Sequence, residues 1–214
     1  MNAEATILNP QPTTRPISVV KVGGSLFDLP GLRLRLEEIL YSLSSHNVAI
    51  VSGGGAAADI VRGMQPVHGL TDSAAHRLAM QSLAVGEALL CEIIHPSTRV
   101  ASMRKAREAW LEGHIVVIDA ARFVLAEKAL NQQPLDETWA ATSDSIAAWV
   151  ATVMRAEKIV LLKSRDATCW EEATKHTDPC FEHHARTVPQ IQWCNLRLTT
   201  EPTPLRGSPS RTTK

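Results

Sequence analysis

Four short segments of the chain are apolar at consecutive rather than alternate positions: ISVVKV at 17–22, VAIV at 48–51, HIVVIDA at 114–120 and KIVLLKS at 158–164. A strand with one wet face alternates apolar and polar residues, whereas a strand apolar on both sides needs cover on both faces. Helical patterns fill the intervals. Leu32, Leu34, Leu36, Ile39 and Leu40 recur among charges over 31–45, and alanine-rich sequence follows Gly55. A long helical pattern runs over 72–94, and shorter ones cover 121–130 and the segment TSDSIAAWVATVMRA. Strands alternating with helices predict an α/β fold with a largely parallel central sheet. IQWCNLRLT at 191–199 is expected to add one more strand.

In such sheets ligands gather at the carboxyl ends of the strands. Lys21 closes the first apolar run and is followed by Gly23, Gly24 and Ser25; Ser52 closes the second and is followed by Gly53, Gly54 and Gly55. Glycines let backbone N–H groups approach an anion, and a helix opening after the second loop adds the positive end of its dipole. This is not a P-loop, because the lysine precedes the glycines. Thr142 or Ser143 is expected to cap a helix whose first turn carries Asp144. Lys163 ends its strand as Lys21 ends its own, so both cations should share one crevice, with the Asp144 carboxylate orienting them. Each feature also has a plainer reading: a tight turn beside a snorkelling lysine, a flexible glycine turn, a carboxylate that compensates a helix dipole. Asp59 and Arg62 read as a solvated surface pair. Taken together, cations, N–H dipoles and an ordering carboxylate are the parts that phosphoryl transfer uses.

The 214 residues fit one fairly large domain, expected over 17–199, between a disordered lead at 1–16 and a disordered tail at 200–214 rich in Pro, Ser and Thr. The 22 basic and 22 acidic residues cancel, so no global field draws the chain to nucleic acid or a membrane surface. No apolar run is long enough to span a bilayer and the N-terminus lacks a signal pattern, so a cytoplasmic location is expected. Cysteines at 91, 169, 180 and 194 read as free thiols. The stretch holding Cys169, His176, Cys180, His183, His184 and Cys194 lacks zinc-site spacing, so no metal ligand is assigned and it reads as core thiols and surface histidines.

Four motifs in order, KVGGSL, VSGGGAAADIVR, TSDSIAAWVA and KIVLLK, resemble the amino acid kinase family over roughly residues 17–165. That resemblance implies a three-layer αβα sandwich, shortened here at the C-terminal end. It implies ATP as phosphoryl donor with Mg²⁺ arriving on it. Lys21 would contact the transferred group. Gly23, Gly24 and Ser25 would bind ATP phosphates, with Lys163, Ser164 and Asp166 on the nucleotide side. Gly53, Gly54 and Gly55 would hold the acceptor's phosphate, His76, Thr142 and Ser143 would lie near the acceptor, and Trp139 would cover it. Asp144 would organise the lysines. The helix LTDSAAHRLAMQSLAVGEALL, with His76, and the segment TWAATSDSIAAW are similar to the branch of the family in methanofuran biosynthesis. That branch phosphorylates an (aminomethyl)furanylmethyl phosphate to its diphosphate.

The family's Thr-Asp-Val-Asp-Gly turn is here LLKSRDATCW, with Ala167 where glycine is usual, so this loop is expected to differ in shape. The later Gly-Gly-Met-x-x-Lys motif is missing. Other acceptors, a nucleoside monophosphate or an amino acid, remain open, as does a relative that binds a phosphorylated ligand or partner without turnover. A homo-oligomer is expected, with the 72–94 helix as one possible face.

Overall fold

Residues 15–130 and 135–207 are described by the computed structural model; residues 1–14 of the lead expected at 1–16 and the end of the tail, 208–214, lie outside the described residues. The elements run β1 (Ile17–Val22), α1 (Leu32–Ser42), β2 (Asn47–Ser52), α2 (Gly55–His68), α3 (Asp72–Ile93), β3 (Ser97–Val100), α4 (Met103–Leu111) and β4 (Ile115–Ile118). They continue with α5 (Ala120–Lys128), α6 (Ser143–Met154), β5 (Lys158–Lys163), α7 (Trp170–Thr174), α8 (Phe181–Ala185), β6 (Gln190–Asn195) and β7 (Thr203–Pro204). One sheet has the order β3-β4-β2-β1-β5-β6-β7, parallel throughout except for β7. The central strands are buried on both faces, as their unbroken apolar runs require.

Two cores fill the two sides of this sheet. Val20, Val22, Ile50, Val160 and Leu162 pack under Leu32, Leu36 and Ile39 of α1 and Leu90 of α3. Val19, Val51, Ile159 and Leu161 face the opposite core, which holds Ile146, Trp149 and Val150 of α6 and Phe123 of α5. Side chains alternate along a strand, so Lys21 shares the face of Val19, and Lys163 shares the face of Ile159 and Leu161. Both lysines therefore point to the side that α6 covers.

Several elements depart from the expected pattern. The strand β3 and helix α4 were not anticipated, because STRV is short and polar, as befits an edge strand. The strand expected over 191–199 stops at Asn195, whose carbonyl accepts from the amides of Leu198 and Thr199 in a turn. Residues 200–207, read as the start of a disordered tail, are instead held on the sheet. There β7 pairs antiparallel with β6, Leu205 is buried, and the Arg206 carbonyl accepts from the Trp170 amide. Pro204 is tolerated because β7 is an edge.

Candidate phosphoryl-transfer site

At the carboxyl ends of the adjacent strands β1 and β5, the first turn of α6 places Asp144 between two cations. Lys21 Nζ is 2.9 Å from Asp144 Oδ1, and Lys163 Nζ is 2.7 Å from Asp144 Oδ2. All three side chains are largely buried. Burial by itself raises the Asp144 carboxyl, but the Lys21 and Lys163 charges outweigh it and hold the group below the usual carboxylate range. Burial, and then the nearby Lys21 charge, lower the Lys163 ammonium to about 8 against the pull of Asp144. Lys163 also donates to the His176 carbonyl at 2.9 Å and lies 5.5 Å from the centre of the Trp193 ring. Two ammoniums thus share the one carboxylate of Asp144, in a chain of zero formal net charge.

The two glycine loops touch each other. A Cβ on Gly24 would stand 2.1 Å from the Gly55 nitrogen, and one on Gly53 would stand 2.3 Å from the Gly24 nitrogen. Gly55 also takes a φ of 51°, the left-handed region open to glycine. These glycines thus serve the close approach of one loop to the other as well as access to an anion. Gly23 donates its N–H to the Leu162 carbonyl, which ties the first loop to β5. Ser25 Oγ and Ser164 Oγ lie 2.9 Å apart, and Arg197 donates to the Ser25 carbonyl at 2.7 Å while pairing with Asp28.

A cavity of about 670 Å³ opens beside the loops, walled by Gly24, Ser25, Gly54, Gly55, Thr142 and Ser143. Most of its remaining wall is apolar, from Phe27, Ala79, Met80, Leu83 and Ile146. His76 lines it too, with Nδ1 3.1 Å from the Thr138 carbonyl and a pKa lowered chiefly by burial. The amides of Gly55, Ala56 and Ala57, in the first turn of α2, have no acceptor within their own helix, and these residues line the cavity. Asp59 and Arg62 do form an exposed pair, yet both line the cavity, and the Arg62 guanidinium lies 4.8 Å over the Trp139 ring. Trp139 Nε1 donates to Gln65 Oε1.

The structure therefore gathers Lys21, Asp144 and Lys163, and groups Gly24, Gly54, Gly55, His76, Trp139, Thr142 and Ser143 around one cavity. Asp166 stands apart: it is exposed and accepts from Asn195 Nδ2 at 3.1 Å. Ala167 does not occupy the left-handed region, so an alanine is accommodated there without backbone strain. The four cysteines are free. His184, read as a surface residue, is buried, because α8 packs it towards α6. The helix cap also differs. Thr142 occupies the N-cap of α6, but its side chain makes no cap bond; the donors at this helix start converge on Asp178. Sequence reading missed Asp178 because it lies in a loop with no spacing relation to α6. It also missed Gly86, where a Cβ would meet Ser52 Oγ at 2.2 Å and Phe27 at 2.6 Å. A glycine inside a helix is a signal of close approach that could have found it.

Among known proteins, the [5-(aminomethyl)furan-3-yl]methyl phosphate kinase of Methanocaldococcus jannaschii is 22% identical over 158 residues, covering 69% of this chain and 66% of that one. The matched region thus spans just under two thirds of that relative's length. The UMP kinase of Ureaplasma parvum superposes with a TM-score of 0.62 at 14% identity, covering 91% of this chain and 97% of that one. The aspartate kinase of Synechocystis superposes with a TM-score of 0.59 at 15% identity, covering 92% of this chain and 41% of the larger protein. At these identities the superpositions speak for the fold. Residues 16–169 match the amino acid kinase family, and the chain belongs to that family.

Proposed function

We propose that the protein is an ATP-dependent small-molecule kinase that transfers a phosphoryl group to a phosphate or carboxylate acceptor. The observation that carries this reading is the Lys21–Asp144–Lys163 arrangement at the ends of two neighbouring strands, beside a cavity fed by a helix N-terminus. Lys21 and Lys163 would stabilise the charge that spreads over the equatorial oxygens of the transferring group. Asp144 would hold the two ammoniums in place. It is kept ionised by them, but each of its oxygens already faces a lysine, so it is not read as a proton acceptor. A phosphate acceptor needs none, since its second pKa of about 6 leaves an anionic nucleophile at neutral pH.

The residues fit a polyphosphate donor: two ammoniums stand at the ends of neighbouring strands, and the Ser25 and Ser164 hydroxyls of the loops that follow those strands lie 2.9 Å apart. Among the described residues no cluster of three His, Cys, Asp or Glu groups could hold a metal ion. Mg²⁺ bound with ATP would therefore take its ligands mainly from phosphate oxygens and water, and would neutralise charge there. For the acceptor we favour an (aminomethyl)furanylmethyl phosphate. The name of the M. jannaschii relative supports this choice, as does a largely apolar cavity with a tryptophan on its wall and amides of α2 for the phosphate. Exposed apolar side chains on α2 and α3, among them Ile60, Val67 and Val85, support the expectation of a homo-oligomer.

The test is calorimetric titration with Mg·ATP on the wild-type protein and Lys21→Ala, followed by a transfer assay. The acceptor panel runs from the furanylmethyl phosphate to UMP, aspartate and N-acetylglutamate. Saturable binding that weakens in the variant, with turnover of one acceptor, is the expected result. No binding at millimolar ATP would overturn the kinase reading and leave a ligand-binding relative.

A further inference from the structure

One short segment, 176–180, bonds Lys163, the first turn of α6 and the stretch just before it. The His176 carbonyl accepts from Lys163 Nζ at 2.9 Å. Asp178 Oδ2 accepts from the Thr142 amide at 2.9 Å, from Thr142 Oγ1 at 2.8 Å and from the Ser145 amide at 3.0 Å, while Asp178 Oδ1 accepts from Ser145 Oγ. The Cys180 amide donates to the Ala140 carbonyl at 2.9 Å, next to the cavity-lining Ala141. An ordinary N-cap bonds its own helix from within the same turn. Here the residue at the cap turns its hydroxyl outward, and a carboxylate from a distant loop receives both side-chain and backbone donors on either side of Asp144.

We propose that Asp178 is a positioning residue for phosphoryl transfer, fixing the start of α6 so that the Asp144 carboxylate stands between Lys21 and Lys163. The proposal rests on the kinase reading for its consequence, though not for its geometry. Helix α6 can roll or slide on the sheet only if its first turn is free, and Asp178 pins that turn at residues 142 and 145, which flank Asp144. The same segment holds Lys163 through the His176 carbonyl, so the anion and one of its cations share a single support. The charged groups facing Lys163 are Lys21 from β1, Asp144 from α6 and Asp178 from this loop, and the Asp178 charge raises the proton affinity of Lys163. Loss of Asp178 therefore displaces Asp144 and also lowers the pH at which Lys163 loses its proton.

Two readouts on Asp178→Ala and Asp178→Asn test this. In the transfer assay, kcat is expected to fall about 10- to 100-fold in Asp178→Ala with KM for ATP little changed. Asp178→Asn should recover part of that loss, because its amide oxygen can still accept from Thr142 and Ser145. Independently of turnover, competitive acetylation of the free protein with acetic anhydride across pH, read by peptide mass spectrometry, reports the titration of Lys163. Its midpoint should move to lower pH in both variants, since both lose the charge. Should Asp178→Ala fail to fold, Asp178→Asn carries both readouts. Wild-type kcat and an unmoved Lys163 midpoint would overturn the proposal. If the wild-type protein phosphorylates nothing, the kinase reading falls, while the acetylation midpoint still decides whether Asp178 governs this site.

Discussion

Lys163 Nζ lies 2.7 Å from Asp144 Oδ2, yet burial and the neighbouring Lys21 bring its pKa down to about 8. The ion pair is therefore one that titrates close to the working range of most enzymes. If the charged ammonium is the form that stabilises the transferring group, activity is full well below that value and is lost as pH rises through it. The profile of kcat/KM for ATP reports the free enzyme. It should fall above about pH 8 with a slope near one. A profile flat to strongly alkaline pH would show that the Lys163 charge is not used.

Replacing Asp144 leaves two buried ammoniums without their counter-ion. Asp144→Asn should cost roughly 3 kcal/mol of stability, in the range for breaking one side of a buried pair. It should also lower kcat by about 100- to 1,000-fold, the loss usual when a transition-state charge array is disturbed. Urea midpoints and single-turnover rates separate the two effects. Turnover near the wild-type level in folded Asp144→Asn would remove it from the machinery.

The glycine loops allow a paired comparison. Gly24→Ala forces a Cβ to within 2.1 Å of the Gly55 backbone, so the loops must separate; a loss of about 1–3 kcal/mol is expected, with weakened ATP binding. Gly63→Ala, at an exposed position of α2 where a Cβ meets nothing within 4 Å, should instead stabilise by roughly 0.5–1 kcal/mol. Equal effects of the two substitutions, measured by chemical denaturation, would contradict the contact between the loops.

How much of this was legible in the sequence depended on whether the physics was local. Strands β1, β2 and β5 could be read because burial on both faces leaves an unbroken apolar run, and Lys21 and Lys163 because each interrupts such a run at its carboxyl end. The opening of α6 was legible from its small polar residues and Asp144. Strand β3 was not, since an edge position lets Thr98 and Arg99 replace apolar residues. Nor was the role of Asp178: a carboxylate that caps a helix from another loop carries no periodicity, and only the folded backbone brings them together. The bond that Asp166 accepts from Asn195 was likewise beyond the sequence, since the two residues are 29 apart and meet only in the folded chain.

His184 carries a prediction for stability. Both of its ring nitrogens are buried with no hydrogen-bond partner among the described residues, and burial, with His183 beside it, lowers its pKa from 6.5. A histidine whose folded pKa is depressed contributes stability that is present above pH 6.5 and is lost as pH falls through the folded value. The melting temperature of the wild-type protein should therefore drop on acidification from about pH 7 to 5. His184→Leu should flatten that drop in part, His46 and His76 being depressed by burial as well. An acid limb identical in the variant would show that His184 does not take up a proton on unfolding.

The central place of β1 has a consequence for how the chain is made. One edge of β1 pairs with β2, which follows it closely, but the other pairs with β5, at residues 158–162. During synthesis from the N-terminus, the apolar edge of β1 stays unpaired while α2 to α6 emerge. The cation of Lys21 likewise waits for Asp144 until α6 emerges. A nascent chain stalled before β5 therefore offers an open strand edge to any passing chain, and the protein should lean on ribosome-associated chaperones until its sheet is closed.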